Sequence, residues 1–187
     1  MEYNKNKFDY NTNRPTNDLF DLFKSVIYMF AVIIIIFTFF IREVNVKGDS
    51  MNDTLQQNDK VVLTNFMYEP QPGDIVAINT PNLKDDHIIK RVIATEGQTL
   101  SIDYAEGTVT VDGVVLDEDY ISSFTKKPEN AFEIPYVIPE GKVFVMGDNR
   151  YISLDSRVAD LGLVSVDEVI GKAQFIFFPF DRITYLY

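Results

Sequence analysis

Between Ser25 and Ile41 the chain reads SVIYMFAVIIIIFTFFI, 17 residues without a charge, bounded by Lys24 and Arg42. A run of this length sits at the lower edge of what crosses a bilayer as one helix. Leu22 and Phe23 extend it if the Lys24 stem bends back to the interface. It has no polar face and no small-residue cleavage pattern behind it, so an uncleaved anchor is expected rather than a core helix or a removable leader. Arg14 and Lys24 on one side balance Arg42 and Lys47 on the other, and the charge rule leaves the orientation open. Met1 to Asn17 is polar and rich in Asn and reads as a short flexible tail. The expected division is a tail over 1–24, an anchor over 25–43 and a folded domain over 44–187.

That leaves room for one domain of roughly 140 residues around one core. The 187-residue chain carries 28 acidic and 17 basic residues, a formal charge of -11, with no basic stripe, which argues against a nucleic-acid partner. It contains no cysteine, which removes disulfide frameworks, thiolate metal sites and cysteine nucleophiles. His87 is the single histidine, too few for a multi-histidine metal centre, so neither a metal nor a cofactor is expected.

Beyond Val44 the apolar residues fall in short β-branched runs bounded by Gly, Pro, Asn and Asp: Val61 to Thr64, Asp74 to Asn79, His87 to Ala94, Lys142 to Met146 and Gln174 to Phe178. Thr108 to Val111 and Val114 to Leu116 flank Asp112-Gly113, which tolerates the positive φ of a two-residue turn and predicts a β-hairpin. Only Val166 to Ile170 and the region near Ser153 hint at a helical turn. The domain is expected to be mainly β, and Ser122 to Phe132 to be an exposed loop free to vary.

Three segments recur in a fixed order: GDSM at Gly48 to Met51, IKRVIA at Ile89 to Ala94, and GDNRYISLDSR at Gly147 to Arg157. With GDIVAIN at Gly73 to Asn79 and GKAQFIFFP at Gly171 to Pro179, the set resembles the bacterial type I signal peptidases, in the shorter Gram-positive style. The resemblance spans about Val44 to Pro179. It implies an antiparallel β catalytic domain outside the cytoplasmic membrane and a short cytoplasmic tail before a single-pass anchor. Also implied is a serine endopeptidase that removes signal peptides from exported preproteins with a Ser50/Lys90 dyad. Preproteins and membrane lipid are then the partners, and the secretion translocon is a candidate third.

The chemistry can be weighed residue by residue. A serine hydroxyl needs a neighbouring base to become a nucleophile, and a lysine amine serves only when neutral, which requires a fall of about 3 pKa units from 10.4. If His87 to Ala94 is a strand, Lys90 shares a face with Ile88, Val92 and Ala94, where desolvation disfavours the ammonium. On the strand alone a solvent-facing lysine is the commoner reading; Ser50 and the third segment reverse it. Arg91 falls on the opposite face and stays charged, and the resemblance makes it a structural or interfacial cation. Ser50 alone could be a turn serine, but it lies six residues into the domain, near the bilayer surface.

The Ser50 backbone N–H is the expected oxyanion donor. Some family members add a hydroxyl where Gly48 stands, and many have a proline where this chain has Asp53, after Asn52. Met51 reads equally as a core or a lipid contact. The alternating charges of Asp148, Arg150, Asp155 and Arg157 predict a loop-scaffold network, and the resemblance has the Ser153 hydroxyl bond Lys90 and aim it at Ser50. His87 is read as an edge residue. Two alternatives are a noncatalytic anchored β-module that has lost activity and an autoproteolytic Ser/Lys regulator. Retention of both dyad residues speaks against the first, and the anchor and acidity against the second.

Overall fold

A computed structural model describes residues 15–81 and 86–186. The expected tail over 1–24 falls largely outside these residues, and its described part is helical. Helix α1 spans Pro15–Phe40, with proline in the first turn, where its missing N–H costs nothing, and Asp18 favourably placed on the helix dipole. The helix therefore begins ten residues before the uncharged run, because its first turns need only helix-compatible residues. Its stretch Asp18–Ile36 is long and apolar enough to cross a membrane, and none of it is buried. Lys24 reaches back one turn to Asp21 at 3.2 Å.

The chain divides into two compact units at Phe39/Phe40. In the second, β1 (Ile41–Asn45) already belongs to the sheet, pairing with β2 (Lys60–Thr64) from Ile41↔Thr64 to Asn45↔Lys60. The expected anchor end at residue 43 is thus three residues late: Arg42 and Glu43 are exposed strand residues. Then follow β3 (Ile75–Asn79), β4 (His87–Thr95), β5 (Leu100–Asp103), β6 (Thr108–Val111), β7 (Val114–Val115), β8 (Lys142–Met146), β9 (Val164–Ser165), β10 (Val169–Phe178) and β11 (Thr184–Tyr185). One sheet has the order β1-β2-β10-β3-β4-β8-β9, with β11 on β10, and β5-β6-β7 form a second. Every strand pairing is antiparallel, which confirms the expected mainly β domain.

The central strands are buried on both faces and so read as continuous apolar runs. Ile75 and Ala77 of β3 enter a cluster with Met51, Leu55, Ile89, Ala173 and Ile176. Val76 and Ile78 enter another with Val92, Val143 and Val145. A register shift between Val92 and Ala94 moves Ala94 into a third cluster with Phe144 and Met146, so Ala94 does not share the Val92 environment as strict alternation predicted.

The hairpin turn is as expected: Asp112 and Gly113 both have positive φ, 51° and 78°, and Val111 pairs with Val114. The helical hint at Val166 to Ile170 resolves into a single 3-10 turn, Val166–Glu168, after which β10 begins five residues before the expected Gln174. The segment Ser122 to Phe132 is irregular but not free. Thr125 is fully buried, the Lys126 carbonyl accepts from Arg157 at 3.3 Å, and Phe132 N donates to Arg157 O at 2.7 Å. Buried guanidiniums need acceptors, and this segment supplies them.

Phe144 is wholly buried in the third cluster. Phe144→Ala should lower the stability of the β-domain by about 3–5 kcal/mol, whereas Val115→Thr on exposed β7 should stay within about 0.5 kcal/mol. Thermal unfolding of the full chain in detergent measures both.

Candidate active site

Residues 47–58 form a loop between β1 and β2 that closes on one helical turn, with Leu55 N donating to Met51 O at 2.8 Å. Met51 and Leu55 are 1% and 0% exposed and plug the loop into the core beside Val61 and Ile75; Met51 is a core residue. Gly48 has φ +74°, a value that glycine alone adopts freely. Between these anchors Ser50 stands half-buried on the wall of a cleft that also takes in Asn45, His87, Ile88, Ile152 and Leu154.

Lys90 reaches the same cleft from β4. It is 2% exposed, its Nζ lies 2.7 Å from Ser50 Oγ and it donates to the Ile89 carbonyl at 2.8 Å. Burial lowers its pKa from 10.5 to about 8, against an opposing pull from Asp155 and Asp148. Those carboxylates do not restore full basicity because desolvation is the larger effect, and each is engaged by its own guanidinium. Arg91 Nε and Nη2 donate to Asp148 at 2.9 and 2.7 Å, and Arg157 Nε and Nη2 donate to Asp155 at 2.8 Å each. Bidentate forks of this kind are strong and geometrically exacting.

The third segment wraps the nucleophile's main chain. Asn149 N donates to Ser50 O at 3.0 Å, and Gly147 N donates to Asp155 Oδ2 at 3.0 Å. A Cβ on Gly147 would collide with the Ser50 carbonyl and with the Ser153 side chain, so the approach requires glycine.

The alternating charges form a scaffold that reaches beyond their own loop. Asp155 and Arg157 do, but Asp148 takes Arg91 from β4 and the Thr54 hydroxyl at 2.6 Å. Arg150 takes Glu118, Thr125 and the Gly147 carbonyl. Asp148 and Arg150 thus find their charged partners across the fold, 57 and 32 positions away. Arg91, expected as a structural or interfacial cation, is a buried member of this scaffold, with its guanidinium 4.0 Å from the centre of the Tyr120 ring.

Ser153 differs from expectation. It is 8% exposed, and its Oγ is buried without a hydrogen-bond partner among the described residues. The lysine amine is oriented instead by the carbonyl of its own neighbour, Ile89, which no sequence pattern marks. His87 is half-buried at the start of β4, on the rim of the cleft, where it was placed as an edge residue. The Asn52-Asp53 peptide, where the family proline is absent, is cis. Glu118, Tyr120 and Thr125 escaped the sequence reading because they lie outside every motif. Thr54, three residues past the Gly48 to Met51 segment, bonds Asp148 across 94 positions and was likewise unmarked. Among the described residues no group of acidic or histidine side chains is arranged to hold a metal.

A serine hydroxyl in contact with a desolvated lysine amine, at one cleft, is the arrangement expected of a serine hydrolase whose base is a lysine. The family model for signal peptidase, peptidase S26, matches residues 19–178, and the chain belongs to that family. Signal peptidase I of Bacillus licheniformis is 35% identical over 92% of this chain and 95% of its own. Signal peptidase IB of Staphylococcus aureus strain MRSA252 is 30% identical over 90% and 94%. A solved signal peptidase I from Enterococcus faecalis V583 shares 30% identity over 56% of this chain and 97% of its own, with a TM-score of 0.45.

Gly147→Ala should push the Ser50 main chain out of place. A serine-directed covalent probe should label this variant at least about 100-fold more slowly than the parent, the loss that a displacement of about 1 Å can bring, and intact-mass kinetics reads it directly.

Proposed function

We propose that this chain is a membrane-anchored signal peptidase that cleaves preproteins by acyl transfer onto Ser50, with Lys90 as the general base. The observation that carries the reading is the 2.7 Å separation of Lys90 Nζ and Ser50 Oγ, joined to an amine that burial brings down to about 8. In its neutral form the amine accepts the Ser50 proton while Oγ attacks the scissile carbonyl. The tetrahedral oxyanion is met by the Ser50 backbone N–H alone, since Gly48 supplies no hydroxyl. Collapse breaks the peptide bond, and Lys90 returns the proton to the departing amine of the mature protein. Lys90 then takes a proton from the water that attacks the ester carbonyl and returns it to Ser50 Oγ as the ester bond breaks, releasing the signal peptide with a free carboxylate. Throughout, Ile89 O keeps the amine aimed, and Arg91 and Arg157 hold the nearby carboxylates paired.

The substrate binds as an extended strand along the cleft wall, where Ile152, Leu154 and Met51 favour small apolar side chains. Helix α1 is the anchor, with the β-domain outside the cytoplasmic membrane. Lipid and preproteins are its partners there, and the secretion translocon delivers the substrate. Ser153 is buried beside Gly147, on the side that faces the Ser50 carbonyl. Both dyad residues are present and in contact, which favours an active enzyme over a silent homologue.

Ser50→Ala and Lys90→Met should each abolish cleavage of a model preprotein while the fold persists, with the parent's cut site read by mass; retained processing in either variant would defeat the reading. Because the neutral amine is the active form and only about a tenth of it is neutral at pH 7, kcat/KM should climb about tenfold per pH unit and level off above pH 8.

The same shift has a thermodynamic sign. Lys90 binds its proton less tightly folded than unfolded, so it opposes folding below about pH 8, and this penalty fades as pH rises from about 8 towards 10.5. Lys90→Met should therefore melt above the parent at pH 7, with the gap narrowing by pH 10, as thermal scans at the two pH values would show.

A further inference from the structure

The loop carrying Ser50 is closed at its base by two backbone hydrogen bonds, Val46 N to Asp59 O at 2.8 Å and Asn58 N to Val46 O at 3.0 Å. Asp59 is 1% exposed, and its Oδ2 accepts from Gln56 N at 2.8 Å, inside the loop. The remaining capacity of this buried carboxylate is met from far along the chain. Arg182 Nε donates to Oδ1 and Nη2 to Oδ2, both at 3.0 Å, a two-pronged contact across 123 positions.

Arg182 lies in a segment that folds back after β10. β11 pairs with β10 through Ile176↔Thr184 and Phe175↔Tyr185, and Leu186 N donates to Gln174 O at 2.9 Å. Leu186, 8% exposed, enters the same cluster as Val46, Met51 and Leu55, the apolar anchors of the Ser50 loop. The segment thus meets that loop by a charge at its base and joins the loop's apolar cluster through Leu186. The family match ends at residue 178, so both contacts come from outside it.

We propose that the segment 179–186 braces the nucleophile loop, with Arg182 as a positioning residue that holds Asp59, and through it the Gln56 turn, in the geometry that keeps Ser50 against Lys90. The proposal rests on Ser50 being the nucleophile. Arg182 touches neither substrate nor dyad, so its loss acts on the alignment of Ser50 rather than on binding. An attack step is steeply sensitive to such alignment.

The test uses the full chain in detergent with a model preprotein, kcat being normalised to the Ser50 that a serine-directed probe can titrate. Arg182→Gln should lower kcat at least about tenfold with KM within about twofold, and Arg182→Lys, which keeps the cation but not the fork, should fall between it and the parent. Asp59→Asn with Arg182→Gln removes the buried charge together with its partner, so this double variant folds even if the single one does not. It should remain as slow as Arg182→Gln. An unchanged kcat in Arg182→Gln overturns the proposal, as does a double variant restored to the parent rate or a fall in melting temperature with no change in kcat. Cleavage by Ser50→Ala at the parent rate overturns the nucleophile reading and the brace with it, whereas Ser50-dependent cleavage with an unchanged kcat in Arg182→Gln overturns the brace alone.

Discussion

A lysine amine has been taken out of water and placed against a serine hydroxyl, and the rest of the site is arranged around the cost of doing so. The fall from 10.5 to about 8 corresponds to about 3 kcal/mol against the ammonium form. Desolvation on that scale needs a position with protein on both sides. Lys90 has one, because β4 lies between β3 and β8 in the large sheet and its residues from Ile89 to Ala94 are buried.

Charge placement completes the effect. Two carboxylates, Asp148 and Asp155, stand close enough to pull the amine back towards its charged form, and both are buried. Leaving them unpaired would be costly in itself and would leave less of the amine neutral. Arg91 and Arg157 solve both problems, and Arg150, paired with Glu118, holds the Gly147 carbonyl beside them. The three ion pairs are therefore structural parts of the proposed acid–base site: they hold in place the loop whose Asn149 N donates to Ser50 O. Their exchange for apolar residues of equal volume would fold but would lose the hydrogen bonds that carry position into the Ser50 main chain.

Two peripheral segments share this work. The stretch 117–132 meets Arg150 and Arg157 with Glu118, Thr125 and the Lys126 carbonyl, and Tyr120 lies against Arg91. On the other side, Asp59, Met51 and Leu55 hold the nucleophile loop down at its base and beneath. A loop of about a dozen residues has too much conformational freedom to keep one hydroxyl in register by itself, and its restraint comes from contacts that are remote in sequence.

Local physics made much of the fold legible from the chain. The uncharged run gave α1, period-two and β-branched runs gave β2, β3, β4 and β8, and Asp112-Gly113 gave the hairpin, because each signal is complete within a few residues. The ordered segments also brought Ser50, Lys90 and the Gly147 to Arg157 loop onto one page, as one family. Only the tertiary structure decided what each group faces. The sequence could not say that Asp148 would choose Arg91, that Arg150 would reach for Glu118, or that Ile89 O rather than Ser153 would steer the amine. Nor could it show that a bulge would turn Ala94 away from Val92. These choices depend on which groups the assembled sheet brings together, Arg91 with Asp148 across 57 positions and Arg150 with Glu118 across 32, and on which polar atoms burial leaves in need of a partner, neither of which exists before the sheet has formed.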